Sequence, residues 1–337
     1  MPSLLPQKLQ KGDTIGIISP AAPLAGILPK RFDRGVKELE KLGYKVKVGK
    51  SAKTITGHKA GTPAQRVEDL REMFEDSEVK AIISAIGGYN SNDMLDLIDF
   101  GVIKKNPKIF CGYSDITSLL CAINSVTRLV TFYGPMLMPQ FADYSGPISY
   151  TRDWFFRLLG SAEPIGKITP SSTFTHEYLS WEKDDVRPKK LFPSSGWKAL
   201  RPGIGEGELV GGHLGTVLHL AGSKYFPDFR GKIFFWEDTE SETAITNSIL
   251  EHFKTLGVFD QIKGMIIGRT NPEEYKTSAE GHNINSVVLE ATEGYDFPIL
   301  SDMDFGHTDP MFTIPTGIRA RMNADKGEFS ILDAAVR

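Results

Sequence analysis

Short apolar runs and apolar positions at helical spacing alternate along the first 135 or so residues. Thr14-Ile-Gly-Ile-Ile-Ser19 has the length of a buried strand and ends at Pro20. Leu28, Phe32, Val36 and Leu39 then recur every three or four residues as on a helix, and Tyr44, Val46 and Val48 alternate as on a strand. Thr62-Pro-Ala-Gln65 has the form of a capping box with proline at the first helical position, ahead of Val67, Leu70 and Phe74. Val79-Lys-Ala-Ile-Ile-Ser-Ala-Ile86 reads as a buried strand that stops at Gly87-Gly88, after which Asn90 or Ser91 is expected to cap a helix carrying Leu95 and Ile98. The apolar run Lys108-Ile-Phe-Cys111 and the helix-like Ile116-Thr-Ser-Leu-Leu-Cys-Ala-Ile123 complete the series. This alternation predicts a mainly parallel sheet with helices on both faces. Functional groups in such sheets collect at the carboxyl ends of strands, so Pro20, Gly87-Gly88 and Ser114 are expected on one rim.

Between residues 139 and 206 the periodicity weakens, and Trp154, Trp181 and Trp197 stand among Pro, Ser and charged positions. That stretch reads as a connecting region with a covering loop. A second ordered block follows: helix-like Leu214-Gly-Thr-Val-Leu-His-Leu-Ala-Gly222, the strand Lys232-Ile-Phe-Phe-Trp236, a helix with Ile245, Ile249, Phe253 and Leu256 closed by Gly257, and the strand Ile262-Lys-Gly-Met-Ile-Ile-Gly268. A hairpin of Ile318-Arg-Ala-Arg-Met322 and Phe329-Ser-Ile-Leu332 around Asp325-Lys-Gly327 closes the chain. The expected organisation is therefore α/β throughout: an N-terminal parallel-sheet domain over 1–138, the connecting region over 139–206, and a smaller C-terminal α/β domain, rich in strands, over 207–337.

Composition narrows the function classes. A chain of 337 residues with 40% hydrophobic content can fill two ordinary cores, and a net charge of −3, from 39 basic and 42 acidic residues, leaves no electrostatic footprint for a nucleic acid polymer or an anionic membrane. A small substrate or a peptide suits it better. The cysteines Cys111 and Cys121 lie in apolar strand and helix patterns, where reduced core packing accounts for them. The N-terminus lacks a basic region followed by a long apolar core, and no segment reaches membrane-spanning length, so a cytoplasmic location is expected.

The candidate chemistry lies at three strand ends. In Gly112-Tyr-Ser-Asp115 a serine stands at a tight strand-to-helix turn, which exposes its hydroxyl beside a helix N-terminus; Ile116 replaces the second glycine of the G-x-S-x-G elbow. Glu237 follows Phe234-Phe-Trp236, and His307 follows the run that ends at Phe305, bracketed by Gly306 and Pro310. Serine, glutamate and histidine in that order are the parts of a hydrolytic triad. Each also has a plainer reading: Ser114 as a helix cap, Gly87-Gly88 as a permissive turn, and Asp238, Glu240 and Glu242 as rival acids, with Glu242 and Thr239 able to form a capping box. His219, His252, His58, His176 and His282 are explained by surface or helix positions. Gly203-Ile-Gly-Glu-Gly207 lacks the preceding strand and the spacing of a dinucleotide loop.

Taken with Gly12-Asp-Thr-Ile-Gly-Ile-Ile-Ser-Pro20, Gly87-Gly-Tyr-Asn-Ser-Asn92, Gly211-Gly-His-Leu214 and Trp236-Glu-Asp238, these stretches resemble the serine LD-carboxypeptidase family over nearly the whole chain. The resemblance implies Ser114 as nucleophile, His307 as base and Glu237 as the acid that orients it, with backbone N–H groups of Gly88 and Asp115 forming the oxyanion hole. It implies no metal or cofactor, and a homodimer. Asn90-Ser-Asn92 looks closer to the microcin C immunity branch than to the murein-tetrapeptide branch, and Trp181 matches either an aromatic that stacks on a nucleotide base or a packing anchor. His213 stands where the family commonly has asparagine. The implied partner is a small peptide or an aminoacyl-nucleotide, the alternative reaction being removal of terminal D-alanine from a murein tetrapeptide. A non-catalytic small-molecule binding protein, with two lobes around a cleft, is the competing class, and a thiol enzyme built on Cys111 is disfavoured because Cys111 lies inside its strand.

Overall fold

The structure, a computed structural model, describes residues 3–183, 185–239, 242–270 and 283–337. Five strands form in the N-terminal part: β1 (Thr14–Ile18), β2 (Lys45–Val48), β3 (Val79–Ser84), β4 (Ile109–Gly112) and β5 (Phe132–Tyr133). All pair in parallel in the order β5-β4-β3-β1-β2. Parallel strands need crossovers: helices Pro29–Lys41, Pro63–Glu75 and Thr117–Thr127 supply three of the four, with Phe32, Leu39, Leu70, Phe74, Leu119 and Ile123 turned into the core, and the 3-10 turn Ser91–Leu97 with helix Phe100–Lys105 supplies the one from β3 to β4. The capping box at Thr62 and Gln65 forms as read from sequence, Gln65 N–H reaching the Thr62 hydroxyl and the Gln65 side chain taking the Thr62 N–H.

The second part is built on β6 (Gly166–Ile168), β9 (Lys198–Arg201), β10 (Ile204–His213), β11 (Ile233–Glu237), β12 (Gly264–Gly268), β13 (Ile299–Met303), β15 (Arg319–Asn323) and β16 (Glu328–Ile331); β7 (Thr173–Phe174) and β8 (Phe192–Pro193) make a small ladder of their own. The order is β6-β16-β15-β10-β11-β12-β13-β9, parallel at its centre from β10 to β13 and antiparallel towards both edges. The late hairpin is β15–β16. One strand from this half, β14 (Ile314–Pro315), crosses back to pair antiparallel with β5, which ties the two sheets together beside Tyr133.

Three expectations need correction. The connecting region contains a twelve-residue helix, Ser149–Gly160, whose buried Thr151, Trp154, Phe155, Leu158 and Leu159 repeat at helical spacing; removing a ring such as Phe155 costs about 3–5 kcal/mol. Helix Thr243–Thr255 buries Thr246, Leu250 and Phe253 and leaves Ile245 exposed, because the Thr246 hydroxyl is drawn inward to the buried Asp238 carboxylate at 2.7 Å. Glu242 stands at that helix's N-cap without a side-chain capping bond, so the box with Thr239 does not form. No helix among the described residues is long and apolar enough to cross a membrane.

Candidate active site

Ser114 follows β4 and opens a 3-10 turn, Ser114–Ile116, that runs into helix Thr117–Thr127. Its φ of +62° puts a side-chain-bearing residue in the left-handed region, a strain of about 1–3 kcal/mol that surrounding structure must hold. The Gly87-Gly88 turn after β3 does part of this by close approach. A Cβ on Gly87 would stand 3.0 Å from Ser114 Cβ, 3.1 Å from its Oγ and 3.6 Å from the Asp115 nitrogen, so any larger residue would crowd the hydroxyl.

The Asp115 carboxylate takes the N–H groups of Asn90 at 3.0 Å and Ser91 at 2.8 Å, while the Ser91 hydroxyl donates to the Asp115 carbonyl at 2.6 Å. Burial pushes the Asp115 carboxyl up, and these donors oppose the push. Neither Asn90 nor Ser91 therefore caps its own segment, a 3-10 turn over Ser91–Leu97; a side chain from the next crossover does so. The capping signal was local and the partner that won it was not.

Glu237 ends β11, fully buried, with His213 opposite it at the end of β10. Its Oε2 lies 2.7 Å from His307 Nδ1 and accepts the His307 backbone N–H at 3.2 Å. A carboxylate offers no proton, so Nδ1 carries the hydrogen and Nε2, 3.1 Å from Ser114 Oγ, is free to accept one. Gly306, at φ +104°, lets the loop close down on the acid: a Cβ there would stand 2.6 Å from Glu237 Cγ. The same loop is anchored by buried Asp304, which takes the Ser171 N–H at 3.0 Å and the Trp197 indole at 2.8 Å and pairs with Arg269 at 3.3 Å.

Burial disfavours the Glu237 charge, but His307, His213 and the Tyr133 hydroxyl together bring its pKa down to about 2 from an ordinary 4.5. A depressed carboxylate contributes stability that is complete above the unfolded-state value and disappears as pH falls through the folded one. Denaturant midpoints are thus expected to fall between about pH 4.5 and pH 2, with a shallower fall in Glu237→Gln; identical slopes in the two proteins would show that Glu237 carries none of it.

His213 lies edge-on to His307 with ring centroids 5.7 Å apart. Its Nδ1 accepts the Thr216 N–H at 3.3 Å to cap the short helix Leu214–Leu218, which leaves the proton on Nε2, 3.7 Å from Asp238 Oδ1. Burial, seconded by His307, pushes the His213 pKa down against the carboxylates of Glu237, Asp238 and Asp115. Asn90 Nδ2 is buried without a partner. Trp181 is elsewhere engaged: the Arg31 guanidinium lies 4.2 Å from its ring centre and pairs with Asp185 at 2.6 Å. The segment bearing Trp181 is fastened close to the histidine, since Thr175 and Asp309 exchange backbone hydrogen bonds and Lys189 pairs with Asp309 at 2.6 Å.

Of the rival acids, Asp238 is spent on Thr246 and Glu240 lies outside the described residues, as does His282 among the histidines. Cys111 and Cys121 are buried free thiols whose pKa values burial pushes up. Among the described residues no group of three or more His, Cys, Asp and Glu could hold a metal ion. Sequence reading missed Tyr133, whose hydroxyl donates to Glu237 Oε1, and Tyr113, whose ring meets the His307 ring edge-on at 5.0 Å. The signal was present, because Val130-Thr-Phe-Tyr-Gly134 is an apolar run that stops at a glycine, as do the runs before Gly87 and Gly112.

Residues 15–134 match the LD-carboxypeptidase N-terminal domain and residues 206–322 the LD-carboxypeptidase C-terminal domain. The chain belongs to the LD-carboxypeptidase family. Among LD-carboxypeptidase relatives, it is 33% identical to the microcin C7 self-immunity protein MccF of Escherichia coli, over 98% of this chain and 96% of that protein. It is also 33% identical to a Bacillus subtilis protein named "Probable murein peptide carboxypeptidase", over 98% and 95% respectively. The solved structure of MccF in complex with aspartyl sulfamoyl adenosine superposes with a TM-score of 0.93 at 33% identity, covering 99% of this chain and all of that one. The two-part α/β architecture is thus that of the LD-carboxypeptidases.

Proposed function

We propose that this LD-carboxypeptidase family member is a serine peptidase that cuts an amide through an acyl-enzyme, with an aminoacyl- or peptidyl-nucleotide analogue as substrate. The observation that carries the mechanism is the continuous hydrogen-bond chain from Ser114 Oγ through His307 to Glu237. His307 Nε2 takes the Ser114 proton as Oγ attacks the amide carbonyl, and Glu237 holds the resulting imidazolium. Backbone N–H groups of Gly88 and Asp115 receive the oxyanion, each worth a few kcal/mol in the transition state. His307 then protonates the departing nitrogen, and water repeats the sequence to release the acid and restore Ser114. A mere binding protein has no use for a strained serine held against an imidazole.

On the substrate side, Asn90 offers a buried unpartnered amide and His213 an Nε2–H. The MccF complex with aspartyl sulfamoyl adenosine supports the nucleotide reading. The murein relative, equally identical, favours removal of D-alanine from a murein tetrapeptide as the second reading. A hydrolysis panel of aminoacyl sulfamoyl adenosines against a murein tetrapeptide decides: release of D-alanine with no turnover of the nucleotide compounds would replace the first reading by the second.

Trp181 provides a finer test. If its ring stacks on a base, Trp181→Ala is expected to lower turnover of nucleotide analogues about tenfold, in line with about 1–3 kcal/mol per stacked base, and to spare a substrate without a base. Equal losses on both would leave Trp181 as the platform for Arg31 and nothing more.

A further inference from the structure

The proposed triad is divided between the two sheets: Ser114 follows β4 of the first, while Glu237 ends β11 and His307 follows β13 of the second. Something must hold the halves in register to within about 0.5 Å for such a constellation to work. Tyr133 stands at that seam. It ends β5, paired on one side with Gly112 of β4 and on the other with Ile314 of β14, the strand that returns from the second half of the chain. It is fully buried, with Tyr113 edge-on at 6.2 Å and Phe235 at 5.5 Å fixing the ring from two directions. Its hydroxyl donates to Glu237 Oε1 and accepts the backbone N–H of Ser114 at 3.4 Å. One oxygen thus touches both the backbone of the strained serine and the carboxylate that orients the histidine.

Resting on the serine-peptidase reading above, we propose that Tyr133 is a positioning residue for catalysis, locking the nucleophile turn of the first sheet to the orienting acid of the second. With Oε1 occupied by the phenol, Glu237 turns Oε2 to His307 and shares its charge between two donors. The Ser114 N–H, directed at the phenol, is taken out of the oxyanion hole, which leaves that role to Gly88 and Asp115. Without the hydroxyl, Glu237 keeps the ring wall but loses a donor that a buried carboxylate needs, and its full charge falls on His307. A more basic His307 holds its proton to higher pH, so the acid limb of the rate profile moves up.

The experiment uses purified full-length wild type, Ser114→Ala and Tyr133→Phe with whichever panel substrate the wild type turns over. Tyr133→Phe is expected to lower kcat about ten- to a hundredfold, the range for a hydrogen bond to a charged group, with KM changed less than threefold and the acid limb of kcat/KM shifted to higher pH. A kcat within twofold of wild type and an unmoved acid limb overturn the proposal. So does a loss shared by kcat and KM with the limb in place, which would mark general loosening. Should Tyr133→Phe fail to fold, a more acidic fluorinated tyrosine introduced at position 133 keeps the shape; it should move the limb to lower pH, and no movement overturns the proposal. An active Ser114→Ala would instead sink the serine mechanism itself, so the two failures are distinguishable.

Discussion

Ser114→Ala is expected to lower kcat by several orders of magnitude, up to about 10⁶-fold, and His307→Ala by a similar factor, while the double variant is hardly slower than either single one. The reason is geometric. His307 Nε2 has one proton to take, from Ser114 Oγ at 3.1 Å, so removing either partner removes the whole step and leaves the second deletion nothing to cost. The fold should survive both changes. Ser114 contributes little packing at its turn, and alanine fits the same backbone at similar strain, so the Ser114→Ala midpoint should stay within a few degrees of wild type, whereas His307→Ala strips the buried Glu237 carboxylate of its main partner and should melt lower. Losses that add in the double variant would show that the serine and the histidine act in separate steps. Near-normal turnover by Ser114→Ala would discard the acyl-enzyme.

Glu237→Gln is expected to cost about 10³–10⁴ in kcat, although it alters one atom. Tyr133 decides which way the amide turns. Its hydroxyl donates, so the amide oxygen is held at the Oε1 position and the NH₂ faces His307 Nδ1. A donor facing Nδ1 forces the ring proton to Nε2, which then points N–H at Ser114 and cannot accept from it. The variant should fold and bind substrate with KM near wild type, so the loss sits in kcat. Activity within tenfold of wild type would mean that the carboxylate does not set the tautomer. Combined with Tyr133→Phe, which frees the amide to turn over and accept from Nδ1, the loss should become smaller than the product of the two single losses.

Local patterns were legible wherever one face of an element meets one core. The apolar runs over β1, β3, β4, β11 and β12, the helical spacing from Leu28 to Leu39, and the box at Thr62 all became the elements they spelled, since each signal is satisfied within a few residues. The twelve-residue helix Ser149–Gly160 was equally legible and was obscured by its Pro- and Ser-rich surroundings. Ile245 was not, because burial on its helix is decided by Asp238, which follows β11 and draws the Thr246 hydroxyl inward. The same is true of Asn90 and Ser91, whose N–H groups go to Asp115, twenty-odd positions away. Gly203, Gly205 and Gly207 prove to be the approach to and opening of β10, where glycine admits neighbouring backbone: a Cβ on Gly205 would stand 2.4 Å from the Lys263 carbonyl oxygen and one on Gly207 2.4 Å from that of Gly231.

By itself, then, the sequence determined the alternation that makes parallel sheets, and it placed Ser114, Glu237 and His307 each at the end of a strand, because strand ends are written in local hydrophobic pattern and in glycine. Only the tertiary structure decided that three strand ends from two sheets meet within hydrogen-bond reach. It also gave Ser114 its left-handed backbone, set His213 against His307, and made Tyr133 the joint between the halves. Those features depend on how the two sheets dock, with contacts between residues 104 positions apart for Tyr133 and Glu237 and 193 apart for Ser114 and His307, and no local window of sequence carries an energy term that long.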